Sequence, residues 1–197
     1  MKALITGASS GIGKSMCYYL ASKNIDLILV ARSKDELEKI KSKVSVNTEI
    51  INMDLQIQDN VFKLYEMCKD KNIDILINNA GFGLFGLFQE TDLFRELEMI
   101  DLNIKAYHIL TKLFLRDFIK KDSGYILNVA SFCNLFLYGI LYKFSLFFSV
   151  QISYFVYNGI IHQNILSYSY FILHRLEDKR WHRTIPCSAI LFCFTFF

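Results

Sequence analysis

What is missing from this chain narrows its function as much as what is present. Its five cysteines, Cys17, Cys68, Cys133, Cys187 and Cys193, form no Cys-x-x-Cys pair, and no histidine stands at metal-ligand spacing from them. That pattern argues against a zinc site or a disulfide framework and fits inert thiols in a reducing compartment, so neither metal nor disulfide is expected. An excess of one charge is also missing. The 22 Lys and Arg nearly balance the 19 Asp and Glu, for a formal net charge of +3, and the basic residues are scattered rather than striped. No nucleic-acid partner is expected. The first residues show no basic segment followed by an apolar stretch and a small-residue cleavage site, so the reading is a cytoplasmic protein without a secretory signal. No low-complexity tract or internal period is found. With 197 residues there is room for one ordinary domain with a full core.

The most informative segment that is present is Thr6-Gly7-Ala8-Ser9-Ser10-Gly11-Ile12-Gly13, set between an apolar strand pattern (Ala3, Leu4, Ile5) and an amphipathic helix pattern over 16–20. A strand running into a glycine-rich turn and then a helix presents unpaired backbone N–H groups and the positive end of the helix dipole, and a pyrophosphate satisfies both. One glycine allows the tight turn, one lets the backbone approach the phosphates, and one lets helix and strand pack closely. The Gly-x-x-x-Gly-x-Gly spacing is by itself equally consistent with a plain strand-to-helix turn.

Composition breaks near Ser131. Residues 1–131 carry 34 of the 41 charges, 7 of the 9 glycines and all but one of the alanines, whereas 132–197 hold 11 of the 18 phenylalanines and one Glu. In the first part, strands at 2–6, 26–31, 48–53, 73–77 and 125–130 alternate with helices at 12–22, 34–44, 58–71 and about 91–121. Near-continuous apolar runs such as Leu27, Ile28, Leu29, Val30 mark strands covered on both faces. Repeated βα units then require a parallel sheet with helices on both sides, an α/β, Rossmann-like doubly wound architecture. Residues 1–131 are read as this dinucleotide-binding region and 132–197 as a divergent, aromatic-rich tail. Within the long helix, Asn103 sits between Leu102 and Ile104, where a polar side chain is expected to face the core or a cleft.

Several motifs at matching distances give residues 1–131 a resemblance to the short-chain dehydrogenase/reductase family. The 6–13 turn resembles its cofactor loop, implying contacts from Gly7, Ser9, Ser10, Gly11, Ile12 and Gly13. Asp54-Leu55 after the third strand resembles the acidic position that contacts adenine. Asn78-Asn79-Ala80-Gly81 resembles its N-N-A-G segment, which adds Asn79, Ala80 and Gly81 to the cofactor set. Asn103 matches its helix Asn, and Asn128-Val129-Ala130-Ser131 the segment ending in its substrate-orienting serine, so the resemblance implies catalytic parts for Asn103, through a water relay, and for Ser131. Physically, Asp54 at the carboxyl edge of the sheet can accept a hydrogen bond from an adenine amine, and small Ala80 and Gly81 permit close approach of a ring.

Cofactor choice is read at the end of the second strand. An Asp or Glu there would bind ribose hydroxyls and repel a 2′-phosphate, but this chain has Ala31-Arg32-Ser33. The Arg32 guanidinium suits phosphate, so NADP(H) is favoured over NAD(H).

One family element is absent. The resemblance implies a Tyr-x-x-x-Lys pair with its Tyr some thirteen residues past Ser131, yet that position is Phe144. A free phenol has a pKa near 10, about three units too high for proton transfer at neutral pH, and a Lys one helical turn away would lower it. Tyr142 has no such Lys, and Tyr138 precedes Lys143 by five residues, which does not share a helical face.

The last third admits two readings. Residues 144–161 are uncharged and eighteen long, but Ser145, Ser149, Gln151, Ser153 and Asn158 make them a poor membrane span. Alternatively, the chain after Ser131 comes from a shifted reading frame, since removing one T lets the codons of Ser131-Phe132-Cys133-Asn134 be reread from Ser-Ser-Ala. That would explain together the abrupt compositional break, the absent Tyr-x-x-x-Lys and the absence of the final strands. The expected sheet is therefore incomplete on its C-terminal side, with five strands and an uncovered edge. The function implied is an NADP(H)-dependent short-chain oxidoreductase acting on a small carbonyl or alcohol, impaired in this chain, with homo-oligomers a property of intact relatives. The alternatives are a non-catalytic dinucleotide-binding or interaction protein and a membrane-attached reductase.

Overall fold

In a computed structural model, residues 1–84, 86, 89–132 and 189–196 are described. The elements are β1 (Lys2–Thr6), α1 (Gly11–Ala21), β2 (Asp26–Ala31), α2 (Lys34–Lys41), β3 (Thr48–Asn52), α3 (Gln58–Cys68), β4 (Ile75–Asn78), α4 (Leu93–Ile100), a π-helical turn (Asp101–Ala106), α5 (Tyr107–Lys121), β5 (Tyr125–Phe132) and β6 (Ala189–Phe196). Strand order across the sheet is β3-β2-β1-β4-β5-β6, and the first five strands pair in parallel. The chain winds outward through β2 and β3, then crosses back through α3 to lay β4 beside β1. That reversal places a topological switch point between β1 and β4, where open α/β sheets bind ligands.

Both faces of the sheet are covered, as the continuous apolar runs predict. Alternate residues divide between two cores. Leu4, Ile28, Leu76 and Ile126 pack toward α3 and α5 with Leu64, Phe114 and Phe118, whereas Ile5, Leu27, Leu29, Ile77 and Leu127 pack toward α1 and α2 with Cys17, Leu37 and Ile40. Phe114 and Phe118 are among the largest fully buried side chains, and Phe114 meets the Tyr65 ring edge-on at 5.3 Å. Asn24, Asn72 and Asp122 take left-handed φ values of 56°, 52° and 53° just after α1, α3 and α5, a conformation their short polar side chains tolerate.

The amino ends of the strands are tied through one carboxylate. Asp74 Oδ2 accepts from the Lys2 backbone N–H at 2.8 Å and Oδ1 from Lys121 Nζ at 2.5 Å, joining β1 and the end of α5 at the start of β4. Its backbone N–H and C=O bond Lys2 and Tyr125 at 2.9 Å each. Partial burial alone would raise the Asp74 carboxyl, but the Lys121 ammonium and the Lys2 N–H outweigh it and hold the pKa below its ordinary 3.8.

The expectation of an uncovered edge on β5 is corrected. β6 pairs antiparallel with all eight residues of β5, from Tyr125 opposite Phe196 to Phe132 opposite Ala189. The physical reason lies in the segment Ala-Ile-Leu-Phe-Cys-Phe-Thr-Phe, which is free of charge and proline, is rich in residues that favour strands, and supplies partners for the backbone groups of β5. Among the described residues no helix is long and apolar enough to cross a membrane. The candidate span at 144–161, and Tyr138, Tyr142, Lys143 and Phe144, lie outside the described residues.

Candidate functional site

The glycine turn sits at the switch point and is held there from β4. Thr6, buried at the end of β1, donates its hydroxyl to Ile77 O at 3.3 Å and accepts the backbone N–H groups of Asn79 and Ala80 at 2.9 and 3.1 Å. Asn79 answers with its amide nitrogen, which donates to Thr6 O and Gly7 O at 3.1 Å each. The turn and the Asn79-Ala80-Gly81 segment are thereby one unit, although more than seventy residues separate them in the chain.

Two glycines in the turn are sterically required. A Cβ on Gly7, already at φ +64°, would lie 2.7 Å from Ala80 Cα, and one on Gly13 would fall on the Gly7 carbonyl oxygen. Gly11, at φ +52°, differs: nothing stands within 4 Å of where its Cβ would be, so the surface above it is open. Ser10 caps α1 without a side-chain hydrogen bond, and the first backbone bond is Lys14 N–H to Ser10 O at 3.1 Å. The N–H groups ahead of Lys14 are left without an intrahelical acceptor. Asp92, in contrast, caps α4 by accepting from Arg95 N at 2.9 Å. An open, glycine-lined helix N-terminus with no acidic residue in its first turn fits a pyrophosphate. Ser9 is half-buried and Ser10 exposed beside it, while Ile12 packs against the α1-side core.

Next along the same edge is the Arg32 corner. Arg32 Nη1 lies 3.8 Å from Asp54 Oδ2, and both side chains are partly exposed. Asn52 ties the corner by donating its amide to Ala31 O and Arg32 O at 3.1 and 2.6 Å. Asp54, two residues beyond β3, also accepts from Gln56 N at 3.0 Å, whereas Leu55 is core. A second ion pair crosses from the first turn of α1 to that of α2, Lys14 Nζ to Glu36 Oε2 at 3.3 Å.

Asn103 lies in the π-helical turn between α4 and α5, a distortion that recurs at functional sites. Its amide clamps the backbone of Phe82, accepting from Phe82 N at 3.1 Å and donating to Phe82 O at 2.8 Å. Gly81 is needed beneath it, since a Cβ there would come 2.9 Å from Asn103 Oδ1. The side chain thus shapes the loop after Ala80-Gly81. The backbone of Ser131 is in β5, opposite Ile190.

Sequence reasoning passed over a buried polar cluster next to this edge. Asn78 Nδ2 donates to Thr111 Oγ1 at 3.0 Å and to Asn128 Oδ1 at 2.9 Å, joining β4, α5 and β5, and Asn78 Oδ1 has no hydrogen-bond partner. A threonine among the apolar positions of α5 is the signal that marks it. Thr6 was overlooked as a site residue, and Lys14 too, although a lysine in the first turn of a helix opposes the dipole and so asks for a negative partner. Cys17 and Cys68 are buried free thiols pushed up by desolvation to about 12 and about 11, which keeps them unreactive.

Comparison with known proteins identifies the family of this fold. The family model for short chain dehydrogenase matches residues 1–139. An uncharacterized oxidoreductase of Staphylococcus saprophyticus is 33% identical over 135 residues, covering 66% of this chain and 58% of its own length. The very-long-chain 3-oxoacyl-CoA reductase of Macaca fascicularis is 30% identical, with 95% of this chain and 67% of the relative covered. Among solved structures, a short-chain dehydrogenase from Sphingobium yanoikuyae in complex with NADPH superposes with a TM-score of 0.59 at 32% identity, over 62% of this chain and 50% of that one. The chain thus spans less than two thirds of the first of these relatives.

Proposed function

The chain belongs to the short-chain dehydrogenase family of oxidoreductases, and from that premise we propose that it binds NADP(H) at the carboxyl edge of β1, β2 and β4 but turns over carbonyl or alcohol substrates very poorly. The observation that carries the cofactor reading is the open N-terminus of α1 above Gly11, with Gly7 and Gly13 pressed against Ala80 and each other. In this reading Gly7, Ser9, Ser10, Gly11, Ile12 and Gly13 hold the pyrophosphate. Asp54 and the backbone at Leu55 meet the adenine, while Asn79, Ala80 and Gly81 border the nicotinamide ribose. Arg32 exchanges Asp54 for the 2′-phosphate, a bidentate, charge-assisted contact that NADH cannot make. The NADPH-bound relative from Sphingobium yanoikuyae is consistent with that preference.

A bound nicotinamide supplies or accepts the hydride; the protein must supply or take the accompanying proton at the substrate oxygen. Ser131 is assigned to orient that oxygen and Asn103 to fix the loop beside it. The group that moves the proton in the family, a Tyr with a Lys four residues on, is missing where the spacing from Ser131 puts it. Loss of such an acid/base removes roughly 10²–10⁴-fold in rate. Two measurements test this. Fluorescence titration of the 197-residue chain should give tighter binding of NADPH than of NADH, and Arg32→Asp should weaken NADPH much more than NADH; equal losses would show that Arg32 is not the reader. Turnover of an aldehyde and ketone panel should fall far below that of a version with the reading frame restored after Ser131, and comparable turnover would overturn the proposed impairment.

A further inference from the structure

Lys14 stands where a cation is least favoured. It is the fourth residue of α1, at the positive end of the peptide dipoles, and no acidic side chain shares its turn. Its partner is on the neighbouring helix. Glu36 takes the Lys14 ammonium on Oε2 at 3.3 Å and the Lys39 ammonium on Oε1 at 2.6 Å, and these two cations hold its carboxyl below the ordinary range, Lys39 with the larger effect. Lys14 directly follows Gly13, and Glu36 is in the first turn of α2, which starts two residues after Arg32. The pair therefore bridges the glycine turn and the Arg32 corner. Both cations there are engaged by carboxylates, Arg32 by Asp54 and Lys14 by Glu36, in pairs whose side chains are 33–61% exposed, so partner exchange costs little.

We propose that Lys14 is a second cation for the 2′-phosphate of NADP(H), and that Glu36 competes with the phosphate for it and so sets the strength of cofactor selection. The proposal rests on the reading of this edge as an NADP(H) site. When the phosphate dianion arrives, Lys14 leaves Glu36 for a doubly charged acceptor that also answers the dipole of α1, and Glu36 stays compensated by Lys39. A cofactor without the 2′-phosphate offers nothing to exchange, so Lys14 stays on Glu36.

The test is calorimetric or fluorescence titration of the full chain and its variants with NADPH and NADH. Lys14→Met should weaken NADPH roughly five- to twenty-fold, as expected for a lost charge-assisted hydrogen bond, and leave NADH unchanged. Lys14→Arg should restore most of the loss, which separates a charge role from a packing role. Glu36→Gln should tighten NADPH about two- to five-fold, and that gain should vanish in the Lys14→Met background. Circular dichroism checks that each variant keeps its fold. A wild-type chain with no preference for NADPH would overturn this proposal and the cofactor reading together. A preference that is lost in Arg32→Gln but intact in Lys14→Met would overturn this proposal alone, as would a Glu36→Gln gain that persists without Lys14.

Discussion

The two ends of the central strands are finished differently. At the amino ends, Asp74 gathers the Lys2 N–H and the Lys121 ammonium while its own backbone joins β1 to β5, so the donors there meet protein acceptors. At the carboxyl ends of the same strands Thr6 and Asn79 fix the turn, yet the N–H groups ahead of Lys14 on α1 lack intrahelical acceptors and Arg32 and Lys14 sit in loose, exposed pairs. The first edge is closed by the fold itself, and the second is the one the proposed reading gives to a charged ligand. Exposed N–H groups without protein acceptors bond to water, and a ligand carrying several acceptor oxygens can take that water's place.

The largest effect should come from closing the open edge. Gly13→Val drives a side chain into the Gly7 carbonyl and into Asn79, and should abolish dinucleotide binding in a fluorescence titration while far-UV circular dichroism stays that of a folded α/β protein. Retained NADPH affinity in this variant would dissolve the contrast between the edges. At the tied edge the expectation is reversed. Asp74→Asn should destabilise the fold by about 1–3 kcal/mol in urea melts and leave cofactor affinity unchanged, because the N–H of Lys2 and the Lys121 ammonium lose their carboxylate.

The sign of the pH dependence follows from the same residue. With its folded pKa held below 3.8, Asp74 contributes stability that is fully present above that value and is lost as pH falls through its lower folded pKa. Wild type and Asp74→Asn should therefore converge in midpoint as pH is lowered below that value. A gap that persists through the acid range would assign the effect of Asp74 to packing. The smallest effects sharpen the comparison helix by helix. Asp92→Ala removes the cap that bonds Arg95 N and should cost about 1 kcal/mol, whereas Ser10→Ala removes no cap hydrogen bond and should leave thermal stability nearly unchanged.

Most of the architecture was legible because it is written in apolar runs. β1 and β2 fall on the residues the sequence marks, 2–6 and 26–31, since both strands are buried after their first residue. Helix ends were less so. The charged pattern extends helix two to residue 44, but it stops at Lys41, where the N–H groups of Lys43 and Val44 turn back to Ile40 O and Lys41 O. Asn78 reads as the start of a polar turn and is instead the last residue of β4, because Thr111 and Asn128 receive its amide. Partners of that kind are brought together by the fold from 33 and 50 residues away, and no local pattern announces them. β6 was missed for the same reason, since its pairing is with a strand far behind it in the chain. In the site, the glycine turn and the N-N-A-G segment announce themselves by motif; Lys14 and Glu36 meet only once α1 and α2 lie side by side on one face of the sheet.

The Thr6 hydroxyl has a consequence for how this chain reaches its native state. It collects N–H groups from 73 and 74 residues downstream, so the glycine turn acquires its shape only after β4 has docked beside β1. A nascent chain that has emitted the turn and α1 but not yet β4 carries the motif without the receptor. Such a non-local closure is slow to form and cannot be rehearsed by a fragment. If the turn binds a dinucleotide as proposed, cofactor added during refolding would bind only after this closure, and at a hundred times its dissociation constant it would then hold the closed form by about 2.7 kcal/mol. Protection of the 6–13 loop from proteolysis by NADPH should thus appear in step with protection of residues 78–81, and never before it.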